Sequence, residues 1–173
     1  MSSIFTGVAT ALITPMNEDG SVNLSKIDEI VEEQIEGGVA AIVSCGTTGE
    51  GSTLSRDEHV EVMRHTIKAV NHRIPVIAGT GSNDTAFAVE LSKEAEEMGA
   101  DGLLLVSPYY NKASQKGLIE HYTYIADRVN IPIILYNVPS RTGTNIACET
   151  YKVLSAHKNI VAVKEANGDI SSV

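Results

Sequence analysis

Short unbroken apolar runs alternate along this chain with longer stretches in which apolar residues recur every three to four positions. The runs fall at residues 8–14, 41–45, 75–78, 102–107, 133–136 and 160–164. They are continuous rather than alternating in polarity, which is the pattern of parallel strands covered on both faces. The stretches between them read as amphipathic helices. Ile27, Ile30, Val31 and Ile35 form one stripe, opened by Ser25-Lys26-Ile27-Asp28 as an N-terminal cap and stopped at Gly37-Gly38. Ser55-Arg56-Asp57-Glu58 opens a second helix, with Val60, Met63, Ile67 and Val70 on one face. Asp84 caps a third, which closes at Gly99. Leu118, Ile119, Tyr122, Ile125 and Val129 stripe a fourth, and Tyr151 and Leu154 belong to a fifth.

Strict strand–helix alternation admits a doubly wound sheet or a (β/α)8 barrel. Gly79-Thr80-Gly81-Ser82-Asn83-Asp84 holds two glycines of a dinucleotide fingerprint but not the third, and Gly46-Thr47-Thr48-Gly49-Glu50-Gly51 has the wrong order. No phosphate-binding G-x-x-x-x-G-K-[ST] loop is present. Polar residues recur instead just after the strands, the end at which barrels carry their chemistry. The expected fold class is therefore α/β, a (β/α)8 TIM barrel with six of its eight strands in a single domain over residues 1–173.

Composition narrows the partners. The formal net charge is −9 and no Lys/Arg cluster occurs, so nucleic acid and anionic membrane are excluded as partners. Residues 1–5 lack the basic start and apolar core of a secretion signal, and no apolar run approaches the ~20 residues of a membrane span. A cytoplasmic location is expected. Cys45 and Cys148 read as small core residues, and the histidines at 59, 65, 72, 121 and 157 show no metal-ligand spacing. His59 and His65 are expected on the surface of a helix.

Chemistry concentrates at the strand ends. Lys164 closes the run Ile160-Val161-Ala162-Val163, and strand alternation puts Ile160, Ala162 and Lys164 on one face. Partial desolvation there lowers a lysine's pKa, and a neutral amine is what carbonyl addition requires. Position alone leaves open a lysine that merely ends a strand in solvent. Tyr136 ends the preceding strand, ~4.8 Å away in a paired sheet, where a phenol can move protons. Gly46-Thr47-Thr48-Gly49-Glu50 offers backbone N–H groups and two hydroxyls to a carboxylate. Arg141, in Ser140-Arg141-Thr142-Gly143 just beyond Tyr136, can clamp a second carboxylate or lie free on the surface.

These segments, with Ser107-Pro108-Tyr109-Tyr110-Asn111-Lys112, Tyr136-Asn137-Val138-Pro139 and Val163-Lys164-Glu165-Ala166, resemble the dihydrodipicolinate synthase / N-acetylneuraminate lyase family in order and spacing. The resemblance implies that Lys164 forms an imine with pyruvate, without other cofactor or metal. Thr47 and Thr48 would hold the pyruvate carboxylate, with Thr48, Tyr136 and Tyr110 in a proton relay, Tyr110 reaching from a neighbouring subunit. Arg141 would meet the carboxylate of aspartate semialdehyde. That branch condenses pyruvate with L-aspartate 4-semialdehyde to 4-hydroxy-tetrahydrodipicolinate, in lysine and diaminopimelate synthesis. A 2-keto-3-deoxy-sugar-acid or N-acetylneuraminate aldolase is the alternative, and a non-catalytic piece that folds by association is a second. Family members are usually dimers of dimers, and a homo-oligomer is expected. His59, Asn83 and Tyr109 match the family's lysine-inhibition positions, but Phe87 stands where inhibited enzymes carry a carboxylate, so weak or absent lysine sensitivity is expected. Strands 7 and 8 and a C-terminal helical region of the family barrel lie beyond what this sequence carries.

Overall fold

The computed structural model describes residues 3–172. They group into two compact units, one running up to Gly79 and including Glu94–Gly102, the other comprising Thr80–Lys93 and the residues from Leu103 onward.

The first unit is built from β1 (Ala9–Ala11), α1 (Leu24–Glu36), β2 (Ala41–Ser44), α2 (Arg56–Val70) and β3 (Val76–Gly79). All pairings are parallel, in the order β1-β2-β3, with Ala9 opposite Ala41 and Ile42 opposite Val76. Every residue of β2 and β3 is buried, as their unbroken apolar character requires. β1 is shorter than its apolar run and only half-buried, with Val8 and Ile13 exposed beside it. α2 starts at the expected cap. Ser55 Oγ accepts from the Glu58 N–H at 3.4 Å while the Glu58 carboxylate accepts from the Ser55 N–H at 2.8 Å. α1 does not start where expected: its cap is Asn23, whose side chain accepts from the Lys26 N–H at 3.0 Å. Ser25 lies inside the first turn and donates to the Asn23 side chain. An asparagine two positions earlier already satisfies the orphan donor that Ser25 was expected to take.

The second unit holds β4 (Gly102–Val106) from Leu103, α4 (Gln115–Ala126), β5 (Ile133–Asn137), α5 (Pro139–Thr142), α6 (Cys148–Leu154) and β6 (Ile160–Glu165), with a 3-10 turn at Ile170–Ser172. α3 (Thr85–Met98) begins in this unit and ends in the first; its opening N–H groups at Ala86 and Phe87 are taken by Asp84, as expected. Strands β4-β5-β6 are again parallel. β4 and β5 are almost wholly buried, and α4 packs Leu118, Tyr122 and Ile125 with no exposed surface. Burying each such side chain contributes ~1.5–3 kcal/mol, so the apolar stripe holds this helix in place.

Three expectations fail in this unit. β6 is not covered on both faces: only Ile160 is buried, while Val161, Ala162 and Val163 are exposed. Nor do Ile160 and Lys164 share a face. The register shifts between Ile133 and Ile134, pairing Ile160 with Ile133 but Ala162 with Ile134 and Lys164 with Tyr136. Such a bulge adds one residue and flips the alternation beyond it. Cys148, expected in the core, is exposed.

Candidate active site

In the first unit the chain leaves β2 through Cys45 in the left-handed conformation (φ 54°), which turns the backbone sharply into the Gly46–Gly51 segment. The Cys45 carbonyl is held between two glycines. A Cβ on Gly51 would stand 2.2 Å from that oxygen, and one on Gly79 would stand 2.4 Å from it, so neither position admits a side chain without moving backbone. Thr14 Oγ1 donates to the Gly49 carbonyl at 2.6 Å, and the Glu50 N–H donates to the Thr47 carbonyl at 3.1 Å. The loop is therefore fixed from several sides while Thr47 and Thr48 themselves stay exposed. Burial pushes the Cys45 thiol up to about 12, which leaves it unreactive, in keeping with a core role.

His59 is not the surface residue the helix pattern suggested. It is 5% exposed, with Nδ1 3.1 Å from the Gly51 carbonyl oxygen and Nε2 2.8 Å from that of Gly79. Burial lowers its pKa, against which these two carbonyls act. The ring thus spans the same two glycine segments that enclose Cys45. His65 is half-buried and pairs with Asp28 at 2.9 Å.

In the second unit the structure brings Lys164 and Tyr136 together. They are register partners on β6 and β5, and the Lys164 Nζ lies 4.3 Å from the centre of the Tyr136 ring, over its face. Desolvation lowers the lysine's pKa. Tyr136 is buried. Arg141 sits in the last turn of α5, exposed. That one-turn helix was legible only as a loop, although Pro139 at its first position and Gly143 in the left-handed conformation after it are its start and stop signals. Tyr110 is 89% exposed and held at φ 70°, a strained setting for a bulky residue. Asn83 and Tyr109 are half-buried, and the Asn111 side chain donates to the Asn83 carbonyl at 2.8 Å.

One group escaped the sequence reading. Asn137 and Glu165, each one position beyond Tyr136 and Lys164, pair across β5 and β6 and point to the opposite face. There they meet Tyr151 of α6 and Asn145. The signal was present in the alternation, since two neighbours of paired residues on adjacent strands must themselves be paired. Among the described residues no three His, Cys, Asp or Glu side chains are grouped as a metal site, and no helix is long and apolar enough to cross a membrane.

Parallel strands that alternate with helices, with a half-buried lysine towards the end of the sixth, define an α/β protein with a candidate reactive lysine. Residues 4–173 match the Dihydrodipicolinate synthetase family, and the chain belongs to it. It is 59% identical over 167 residues to the 4-hydroxy-tetrahydrodipicolinate synthase of Geobacter metallireducens, covering 96% of this chain and 57% of that protein. The synthase of the same name from Acetivibrio thermocellus is 56% identical, with 98% of this chain and 59% of that one covered. The crystal structure of a chloride-inhibited dihydrodipicolinate synthase from Acinetobacter baumannii complexed with pyruvate superposes with a TM-score of 0.95 at 49% identity, over 98% of this chain and 58% of that one. The expected fold class, six βα units of the TIM-barrel type, is the one these likenesses show. The chain spans under three-fifths of the length of the relatives it matches.

Proposed function

We propose that this chain carries the imine-forming lysine of a pyruvate-dependent lyase, and that the reaction it serves is condensation of pyruvate with L-aspartate 4-semialdehyde to 4-hydroxy-tetrahydrodipicolinate. The observation that carries the reading is the Lys164 amine, partly desolvated and lying over the ring of Tyr136. The shared name of the relatives and the pyruvate complex of one of them support the choice of substrate.

The neutral Lys164 Nζ adds to C2 of pyruvate, and loss of water from the carbinolamine gives the imine. The protonated imine draws electrons from C3, so losing a C3 proton yields an enamine, whose C3 then bonds to the aldehyde carbon of the second substrate while the aldehyde oxygen takes up a proton. The amine of that substrate then replaces the lysine nitrogen at C2, which closes the ring and frees Lys164. Tyr136, beside the nitrogen, is the acid/base group for these transfers. Thr47 and Thr48 hold the pyruvate carboxylate from an exposed, rigidly fixed loop, and Thr48 passes protons on to Tyr136. Tyr110, projected into solvent from a strained backbone, completes that relay in the site of a second copy, within a homo-oligomer. Arg141 receives the carboxylate of the aldehyde substrate. No metal or bound cofactor takes part, and the product leads to lysine and diaminopimelate in the cytoplasm. Because Phe87 offers no carboxylate to an ammonium group, lysine inhibits weakly if at all through His59, Asn83 and Tyr109.

Incubation with pyruvate, reduction by borohydride and peptide mass spectrometry test the reading. A reduced pyruvate adduct on Lys164, absent from Lys164→Ala, is the expected result. Folded chain without adduct would sink catalysis by these 173 residues. An adduct with no turnover of aspartate semialdehyde would favour a sugar-acid aldolase or an incomplete site.

A further inference from the structure

The strand that presents Lys164 is paired with β5 but exposed along its middle. Val161, Ala162 and Val163 are exposed, and the β5–β6 register slips just before them. The next residue is held very differently. The Asn137 side-chain amide donates to both Glu165 carboxylate oxygens, at 2.8 and 3.0 Å. The Tyr151 phenol donates to the same carboxylate at 3.0 Å, and the Asn167 N–H donates to it at 2.9 Å.

The partners are themselves fixed. Asn137 has no exposed surface; its amide also donates to Asn145 Oδ1 at 2.7 Å, and its Oδ1 accepts from the Ile146 N–H at 3.1 Å. Burial, and then the hydrogen bond to Glu165 and its charge, raise the Tyr151 phenol well above its ordinary value, which keeps it a donor. Because successive strand residues face opposite sides, this cluster lies behind the sheet from Lys164 and Tyr136. It acts through one backbone link.

We propose that Glu165 is a positioning residue: held by Asn137 and Tyr151, its carboxylate fixes the end of β6 and thereby seats the Lys164 amine over Tyr136. The effect on catalysis rests on the imine reading above; the effect on the amine's setting does not. Glu165→Gln keeps the size but sets its amide against the amide of Asn137, and Tyr151→Phe removes a single hydrogen bond while keeping the ring. Glu149→Gln, exposed on the same α6, is the control.

The first measurement needs no pyruvate. Lysines are methylated with 13C-formaldehyde and cyanoborohydride, and the Lys164 signal, assigned by its loss in Lys164→Arg, is titrated by NMR. In both test variants its midpoint should move up towards that of a free lysine, with the circular dichroism unchanged. The second is the rate of borohydride-trapped adduct at subsaturating pyruvate. Loss of one or more hydrogen bonds should cut it roughly threefold or more in the variants, and not in Glu149→Gln. Lys164 midpoints equal to that of the parent in folded Glu165→Gln and Tyr151→Phe would overturn the proposal. Shifted midpoints without any adduct in the parent would leave Glu165 as the positioning group and remove the imine reading instead.

Discussion

Gly79→Ala tests how tightly the Thr47–Thr48 loop is held. A Cβ there would lie 2.4 Å from the Cys45 carbonyl oxygen, 2.7 Å from its carbon and 2.9 Å from the Gly46 nitrogen. All three are backbone atoms, so no side-chain rotation relieves the contact. The exit of β2 must move by at least half an ångström. Overpacking of this kind costs about 1–3 kcal/mol, which outweighs the ~0.4–1 kcal/mol that alanine gains by restricting the unfolded chain. With a urea slope of ~1–3 kcal/mol per molar, the midpoint of unfolding should fall by roughly 0.5–1 M. Cys45 and Gly46 lead directly into Thr47, so under the proposed role of Thr47 and Thr48 the pyruvate concentration giving half-maximal adduct on Lys164 should rise while the yield at saturation holds. Gly117→Ala is the contrast. Its new Cβ meets nothing nearer than the Ser114 hydroxyl at 3.4 Å, and alanine in a helix should stabilise by ~0.5–1 kcal/mol. A Gly79→Ala chain with the parent's urea midpoint and pyruvate dependence would refute the reasoning.

Three further outcomes follow from buried or capping groups. His121 is buried, with Nδ1 2.8 Å from Thr85 Oγ1 and Nε2 unpartnered, and burial pushes its pKa down to about 4. Because that lies below the unfolded value of 6.5, its contribution is complete above about pH 6.5 and is lost as pH falls towards 4, at most roughly 3 kcal/mol; His121→Phe should flatten the urea midpoint over that window. Asn159 Nδ2 donates to the Ala126 and Val129 carbonyls at 3.1 and 2.7 Å, so Asn159→Leu should cost about 2 kcal/mol in urea unfolding by leaving both unpaired. Ser55→Ala removes one half of the α2 capping box and should cost ~1 kcal/mol in the same assay, an unchanged midpoint counting against the cap.

Much of the fold was legible because it depends on local pattern. The runs that became β2, β3, β4 and β5 are mostly apolar and almost wholly buried, and Ser55, Asp84 and Gly99 mark helix ends that hydrogen bonding alone requires. The pairing of Lys164 with Tyr136 was legible too, since both end consecutive strands and parallel neighbours come into register. Elsewhere the pattern misled. α2 carries His59 among its buried residues, yet a polar ring on a helix reads as surface unless the carbonyls that receive it are known.

The sequence by itself determined the alternation of strand and helix, the order of the motifs and the residue types at each strand end. Those follow from side-chain periodicity and backbone preference, which act over a few neighbouring residues. Only the tertiary structure decided which face of β6 carries Lys164, because the slip between Ile133 and Ile134 is a property of two strands together. It alone placed Cys45 between Gly51 and Gly79, and Glu165 among Asn137, Tyr151 and Asn167. These contacts join residues far apart in the chain, and their energies depend on distance and desolvation, which no local pattern encodes.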